Sequence, residues 1–253
     1  MRKYVGSLLL VAAGDKNLDE KLGWEPNAVV LDLTDLVHPS HFDQAKELIS
    51  NQISLIGTKG IVSMVRISIK QFPDDLDAFV DAGVDALVLS GLEESYEIEN
   101  VEQKLTALES ERGIEVGSIK LIPYLSTMSG LYNASSIIGH SSRIVALTIG
   151  VGDMAFDLSE SEDSDLFFYT GPNPRVSSLE FLITRTTIMA QSKKGIDVLG
   201  VLGITIAPGF ASGEHLTRTA NRSAKLGIKG AVTFHEEGIT ACREAFGVFS
   251  KER

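Results

Sequence analysis

The stretch "NAVVLDLTDLVHPSH", residues 27–41, decides how this chain folds. Ala28, Val29, Val30, Leu31 and Leu33 form a run broken only by Asp32. A strand wetted on one face alternates apolar and polar residues. A run that is apolar at successive positions packs on both faces, as parallel strands do when helices cover them. Thr34 and Asp35, then His38, Pro39 and Ser40, follow at once. The run therefore reads as a buried strand that opens abruptly into polar surroundings.

The same beat recurs along the chain. Apolar runs "YVGSLLLVA", "AVVLDL", "IVSMVRI", "ALVLSG", "KLIPYLS", "RIVALTIG", "VLGVLGI" and "GAVTFH" alternate with longer polar or amphipathic segments. Helices are expected over His41–Gln52, Asp74–Asp81, Glu97–Arg112, Met128–Gly139, Ser177–Lys194, Gly213–Leu226 and Glu236–Phe249, with a short one after Gly152. Eight strand–helix beats in 253 residues predict a (β/α)8 TIM barrel of one domain, residues 1–253. A doubly wound open sheet is the structural alternative. The count of eight and the lack of a Gly-rich phosphate fingerprint after the first strand favour the barrel. "SESEDSD" at 159–165 and "TGPNPR" at 170–175 read as a solvated loop over one rim.

Charge and composition narrow the partners. A net charge of −11 argues against nucleic acid, whose phosphates need a basic face, but leaves room for a local anion pocket. The single cysteine, Cys242, excludes a disulfide framework and a thiolate metal site; a buried thiol in a reduced cytoplasm fits. Arg2 and Lys3 before an apolar run imitate a secretion signal. The run is short and passes straight into an acidic segment, so Tyr4–Ala12 is read as the first strand. No apolar stretch is long enough to span a membrane.

Barrel active sites lie at the C-terminal ends of the strands. Standing there in this sequence are Gly14, Asp15, Asp32, Asp35, Arg66, Ser68, Ser90, Ser126, Asp153, Asp157, Thr205 and His235. A strand ends in acids because its end opens into a polar pocket.

Four segments, "AVVLDLTDLVHPSHFDQAK", "MVRIS", "LIPYLSTMSGLYNASSIIGHSSRIVALTIGVGDMAFDLS" and "AKLGIKGAVTFHEEGI", resemble the HpcH/HpaI aldolase and citrate lyase β-subunit family. The similarity runs in order from Tyr4 to Ile239. The resemblance implies a TIM barrel, commonly a homotrimer or homohexamer. It implies cleavage or formation of a C–C bond beside a carbonyl, assisted by Mg2+ or another divalent ion, in an oxo acid or an acyl-CoA thioester. Arg66 matches the family's arginine for a substrate carboxylate or oxo group, a role suited to a planar fork of donors. Asp153 matches the metal-binding aspartate, a hard oxygen ligand. Asp35 and His235 match the second acid of the strand-2 motif and the strand-8 histidine, and are the catalytic candidates. Ser68 and Ser126 join Arg66 as candidate substrate contacts.

The chain also departs from the family pattern. Thr34 replaces the glutamate of the strand-2 motif, Ser126 the metal-binding glutamate after strand 5, and Ser90 a lysine. Glu236 stands where proline is usual, and the strand-7 acid has no counterpart. A lone carboxylate holds Mg2+ weakly, and Asp35 or Asp157 would have to substitute. Each candidate has a structural alternative. Arg66 could be a rim ion pair, Asp153 a helix cap, Asp35 a loop brace and His235 a satisfied strand-end histidine. The side of the strand that Asp32 faces turns on register. Two functions are therefore expected: a carbon–carbon lyase of weakened or altered activity, or a non-catalytic ligand-binding or assembly subunit that keeps the barrel.

Overall fold

Eight strands pair in chain order, all parallel, and the eighth returns to the first. They are β1 (Gly6–Ala12), β2 (Ala28–Asp32), β3 (Val62–Ser68), β4 (Ala86–Ser90), β5 (Lys120–Leu125), β6 (Ala146–Ile149), β7 (Asp197–Val201) and β8 (Gly230–Thr233). The computed structural model describes residues 4–71, 76–150, 178–193, 195–202 and 213–247. The strands match the apolar runs because a closed parallel sheet hides both faces. β2, β4, β6 and β8 are buried at every position. One face lines the barrel with Leu8, Leu10, Val30, Met64, Val88 and Ile122 among others. The other packs under the helices, with Leu9, Leu31, Val65, Leu87 and Leu121.

Closure depends on a close approach. β1 and β8 meet with Gly6 opposite Gly230. A Cβ at position 230 would lie 2.3 Å from the Gly6 nitrogen, so no side chain fits at that seam.

The helices are α1 (Leu18–Leu22), α2 (Phe42–Thr58), α3 (Leu76–Asp81), α4 (Ser95–Glu111), α5 (Met128–Tyr132), α6 (Ala134–Gly139), α7 (Ser178–Ser192), α8 (Gly213–Lys225) and α9 (Glu236–Gly247). Two expected helices differ by more than two residues at an end or by a break, and α1 was not expected. α2 runs past Gln52 because Ile53 and Ile56 continue the stripe begun by Ala45 and Ile49. The Met128–Gly139 segment is two helices, broken at Asn133, whose side chain donates to the Glu93 carbonyl and the Glu94 carboxylate. α1 is too short to show a period and rests on two buried leucines, Leu18 and Leu22. The region after Gly152, with both rim-loop segments, lies outside the described residues. No helix among the described residues is long and apolar enough to cross a membrane.

A buried ion pair ties the N-terminal face together. Glu109 of α4 is fully buried and accepts from the Gly117 and Ile119 amides and from both Nη atoms of Arg143. Arg143 also donates to the Ile119 carbonyl and to Thr106 Oγ1. Under α9, Cys242 is buried with Sγ 3.8 Å from the Ala231 carbonyl.

Burial pushes the Glu109 carboxyl up, but its hydrogen bonds from Arg143, Gly117 and Ile119 and the Arg143 charge hold it below its ordinary value of 4.5. A group whose folded pKa is depressed stabilises the fold above its unfolded value, and that contribution is lost as pH falls through the folded value. Glu109→Gln removes the fully buried counter-charge of Arg143, leaving only the more distant Glu102 carboxylate at 3.7 Å, and should cost on the order of 3 kcal/mol near neutrality. The gap between parent and variant urea midpoints should narrow as pH falls below the glutamate range. An unchanging gap would show that the Glu109 charge contributes nothing.

Candidate functional site

On β2 and β3 the inward-facing rows stay apolar until the last layer before the C-terminal mouth. Alternation along β2 carries the inward face from Ala28 and Val30 to Asp32, and along β3 from Met64 to Arg66 and Ser68. Register sets Asp32 opposite Arg66, Ser68 opposite Ser90, Ser90 opposite Tyr124, and Tyr124 opposite Thr148. A polar arc across β2 to β6 thus lies above apolar interior residues such as Val30, Met64, Val88 and Ile122.

Arg66 is the charged member of that arc with the most contacts. Its Nη1 donates to Asp32 Oδ2 at 3.0 Å, and its Nη2 lies 2.8 Å from Asp35 Oδ2. The guanidinium carbon sits 4.2 Å from the centroid of the Tyr124 ring, a cation–π contact. The Arg66 side chain is only 8% exposed. Burial pulls the guanidinium pKa down, but the electrostatic pull of Asp32, Tyr124 and Asp35 outweighs it and raises the value. One donor is left over: Nε is buried and has no hydrogen-bond partner among the described residues. An unmatched buried donor costs free energy, so it marks a position where an acceptor belongs.

The two acids are held differently. Asp32 is fully buried, and its Oδ1 accepts from the Thr34 amide at 2.5 Å and the Thr34 hydroxyl at 2.7 Å. Thr34 therefore locks the Asp32 carboxylate in its position toward Arg66. The Asp35 side chain is 68% exposed, in the bend that follows β2.

The remaining candidates are spread around the mouth. Ser68 Oγ accepts from the Lys70 amide, and Ser90 Oγ donates to the Ile67 carbonyl. Ser126 is half-buried two residues beyond Tyr124, just before Thr127, whose hydroxyl caps α5 by accepting from the Gly130 amide. His235 stands between β8 and α9. Its carbonyl accepts from the Ile239 amide, and its ring meets Phe234 edge-on. Asp15 is ion-paired with Lys21 at 2.6 Å. Asp153, Asp157 and Thr205 lie outside the described residues.

Sequence reasoning missed Tyr124 and left Asp32 undecided. Strand parity was the available signal: Tyr124 lies two residues before Ser126, and Asp32 two after Val30. No group of three or more His, Cys, Asp or Glu side chains among the described residues could hold a metal ion. The acids at the ends of β1 and β2 already carry cations, and Ser126 offers a hydroxyl. The described residues therefore do not fit a magnesium centre of their own.

A sequence profile of the HpcH/HpaI aldolase/citrate lyase family matches residues 8–235. The chain is 25% identical over 233 residues to citrate lyase subunit beta of Haemophilus influenzae, covering 90% of this chain and 75% of the relative. Among solved structures, the citrate lyase beta subunit of Mycobacterium tuberculosis complexed with oxaloacetate and magnesium superposes with a TM-score of 0.72. That match covers 96% of this chain and 98% of the other at 18% identity, a likeness of fold. The Mycobacterium tuberculosis protein CitE in complex with magnesium, acetoacetate and coenzyme A gives a TM-score of 0.71 at 18% identity, over 96% of this chain and 82% of that one.

The unequal holds on Arg66 lead to unequal costs. Asp32→Asn, which leaves a buried guanidinium without its buried counter-charge, should destabilise by roughly 3 kcal/mol. Asp35→Asn, at an exposed pair, should cost about 1 kcal/mol or less. Thr34→Val should fall between them, as it removes one hydrogen bond to a buried carboxylate. Urea denaturation of the three variants checks the order. Equal costs for Asp32→Asn and Asp35→Asn would contradict it.

Proposed function

The chain belongs to the HpcH/HpaI aldolase/citrate lyase family, and from that premise we propose that it binds a small oxo acid, free or as an acyl-CoA thioester, at Arg66 and acts as a carbon–carbon lyase of weakened or altered activity. The observation that carries this reading is the buried Arg66 guanidinium, set over the Tyr124 ring at the barrel mouth with Nε unmatched among the described residues. A ligand carboxylate or oxo oxygen supplies the missing acceptor. A related citrate lyase beta subunit structure holds oxaloacetate with magnesium, and another related structure holds acetoacetate with magnesium and coenzyme A. Both small ligands are oxo acids, which supports the assignment of ligand class.

The chemistry follows from the charge that develops. Breaking a C–C bond beside a carbonyl leaves an electron pair that delocalises onto oxygen as an enolate. A fixed cation at that oxygen lowers the barrier, most of all in a site with low-dielectric walls. Arg66 is such a cation, held by Asp32 and Tyr124 before the ligand arrives. Ser68 and Ser126 extend the polar wall on either side. Asp35 and His235 are the proposed proton-transfer groups, Asp35 through its place beside Arg66 and His235 through its place at the end of β8. A magnesium ion would need Asp153 and oxygens of the ligand, because Asp32 and Asp35 are already ion-paired to Arg66. If Ser126 stands where the family carries a carboxylate, as the resemblance implies, a second reading follows, in which the site binds ligand without turning it over.

Calorimetric titration with oxaloacetate tests the anchor. Arg66→Ala should weaken binding roughly 10- to 100-fold, the loss of about 1.5–3 kcal/mol for a charge-assisted contact. Unchanged affinity would remove Arg66 from the site. A Mg2+ titration tests the metal. Ser126→Glu adds a hard anionic ligand and should tighten Mg2+ binding. Tight binding by the parent, unimproved by Ser126→Glu, would show a metal site built from other ligands.

A further inference from the structure

We infer that Asp35 is a tethered stand-in for the carboxylate of the ligand, so that binding at Arg66 is an exchange of one carboxylate for another. The inference rests on the reading of Arg66 as the anchor and assigns what selects the ligand there.

The guanidinium is a planar fork, and Nε and Nη2 share one edge of it. A carboxylate that meets this edge squarely accepts from both nitrogens. Asp35 lies on Nη2, at 2.8 Å, and Nε beside it is buried and unmatched among the described residues. The edge is thus half occupied. Asp32 is on Nη1 and has no freedom, because it is fully buried and Thr34 holds its second oxygen by two hydrogen bonds. Asp35 has freedom. Its side chain is 68% exposed. It lies in a bend whose two ends, Leu33 and Val37, are buried in the core, while Leu36 beside it is exposed. A rotation of one side chain between fixed ends carries the carboxylate off the guanidinium into water, where it is solvated at little cost.

The exchange has a chemical consequence. A carboxylate ligand replaces the charge it removes and gains the Nε contact as well. An uncharged carbonyl compound would leave Arg66 with one anion fewer in a site with low-dielectric walls. Asp35 thereby restricts the site to carboxylates, and once displaced it stands free beside the bound ligand, placed to exchange a proton with it.

The test is a calorimetric titration of parent, Asp35→Asn and Asp35→Ala with oxaloacetate, and with pyruvamide as an uncharged oxo compound. Removing the internal competitor should tighten oxaloacetate binding about tenfold in both variants. Pyruvamide should bind detectably only where Asp35 has been replaced. If the parent binds oxaloacetate and both variants bind it equally or less well, Asp35 is a ligand contact or a bystander and the inference is overturned. If neither the parent nor folded Asp35 variants bind oxaloacetate, the anchor reading of Arg66 falls, and the exchange falls with it.

Discussion

A closed sheet has no edges, and that constraint fixes everything placed on it. Once β1 and β8 join at Gly6 and Gly230, each strand is held by two neighbours and cannot slip by one residue without exchanging its inward and outward sets. Parity then assigns Asp32, Arg66 and Tyr124 to the interior, one layer above Val30, Met64 and Ile122. A charge on a hydrocarbon floor must be compensated by its immediate neighbours. The pairing of Arg66 with Asp32 is therefore a direct outcome of barrel closure, and so is the chemistry available at the mouth.

Two buried arginines provide an internal comparison. Arg143, on the N-terminal face, is surrounded by acceptors: two oxygens of Glu109, the Ile119 carbonyl and the Thr106 hydroxyl. Arg66, on the C-terminal face, keeps Nε without one among the described residues. Full satisfaction is what stability requires, and an open donor is what recognition requires. The two ends of one barrel divide these tasks, as strand directions in such barrels dictate.

Much of this was legible in the residues. Eight continuous apolar runs foretold a parallel sheet buried on both faces, because only that environment accepts Val and Leu at successive positions. Arg66 was legible because an arginine ending such a run has to be explained. Thr34 was only half legible. As a replaced glutamate it read as erosion or retooling of an acid cluster, yet its hydroxyl and amide both hold Asp32. That contact folds back two residues and has no periodic signature. The orientation of Asp32 hung on register, which the pairing with Arg66 settles. Tyr124 was hidden as another apolar residue of its strand, since stacking on a guanidinium is a tertiary fact. The break at Asn133 was missed for a similar reason: the partners of its side chain, Glu93 and Glu94, come from a different loop.

The thiol of Cys242 has a practical consequence. It is the one cysteine in 253 residues, it is wholly buried, and burial pushes it up to about 12. The reactive form of a cysteine is the thiolate, so this sulfur is silent toward alkylating reagents while the barrel is intact. A second cysteine engineered on the exposed bend after β2 could carry a fluorophore without competition from the first. Cys242 itself becomes a built-in reporter: its rate of modification counts the moments when α9 lifts from the sheet.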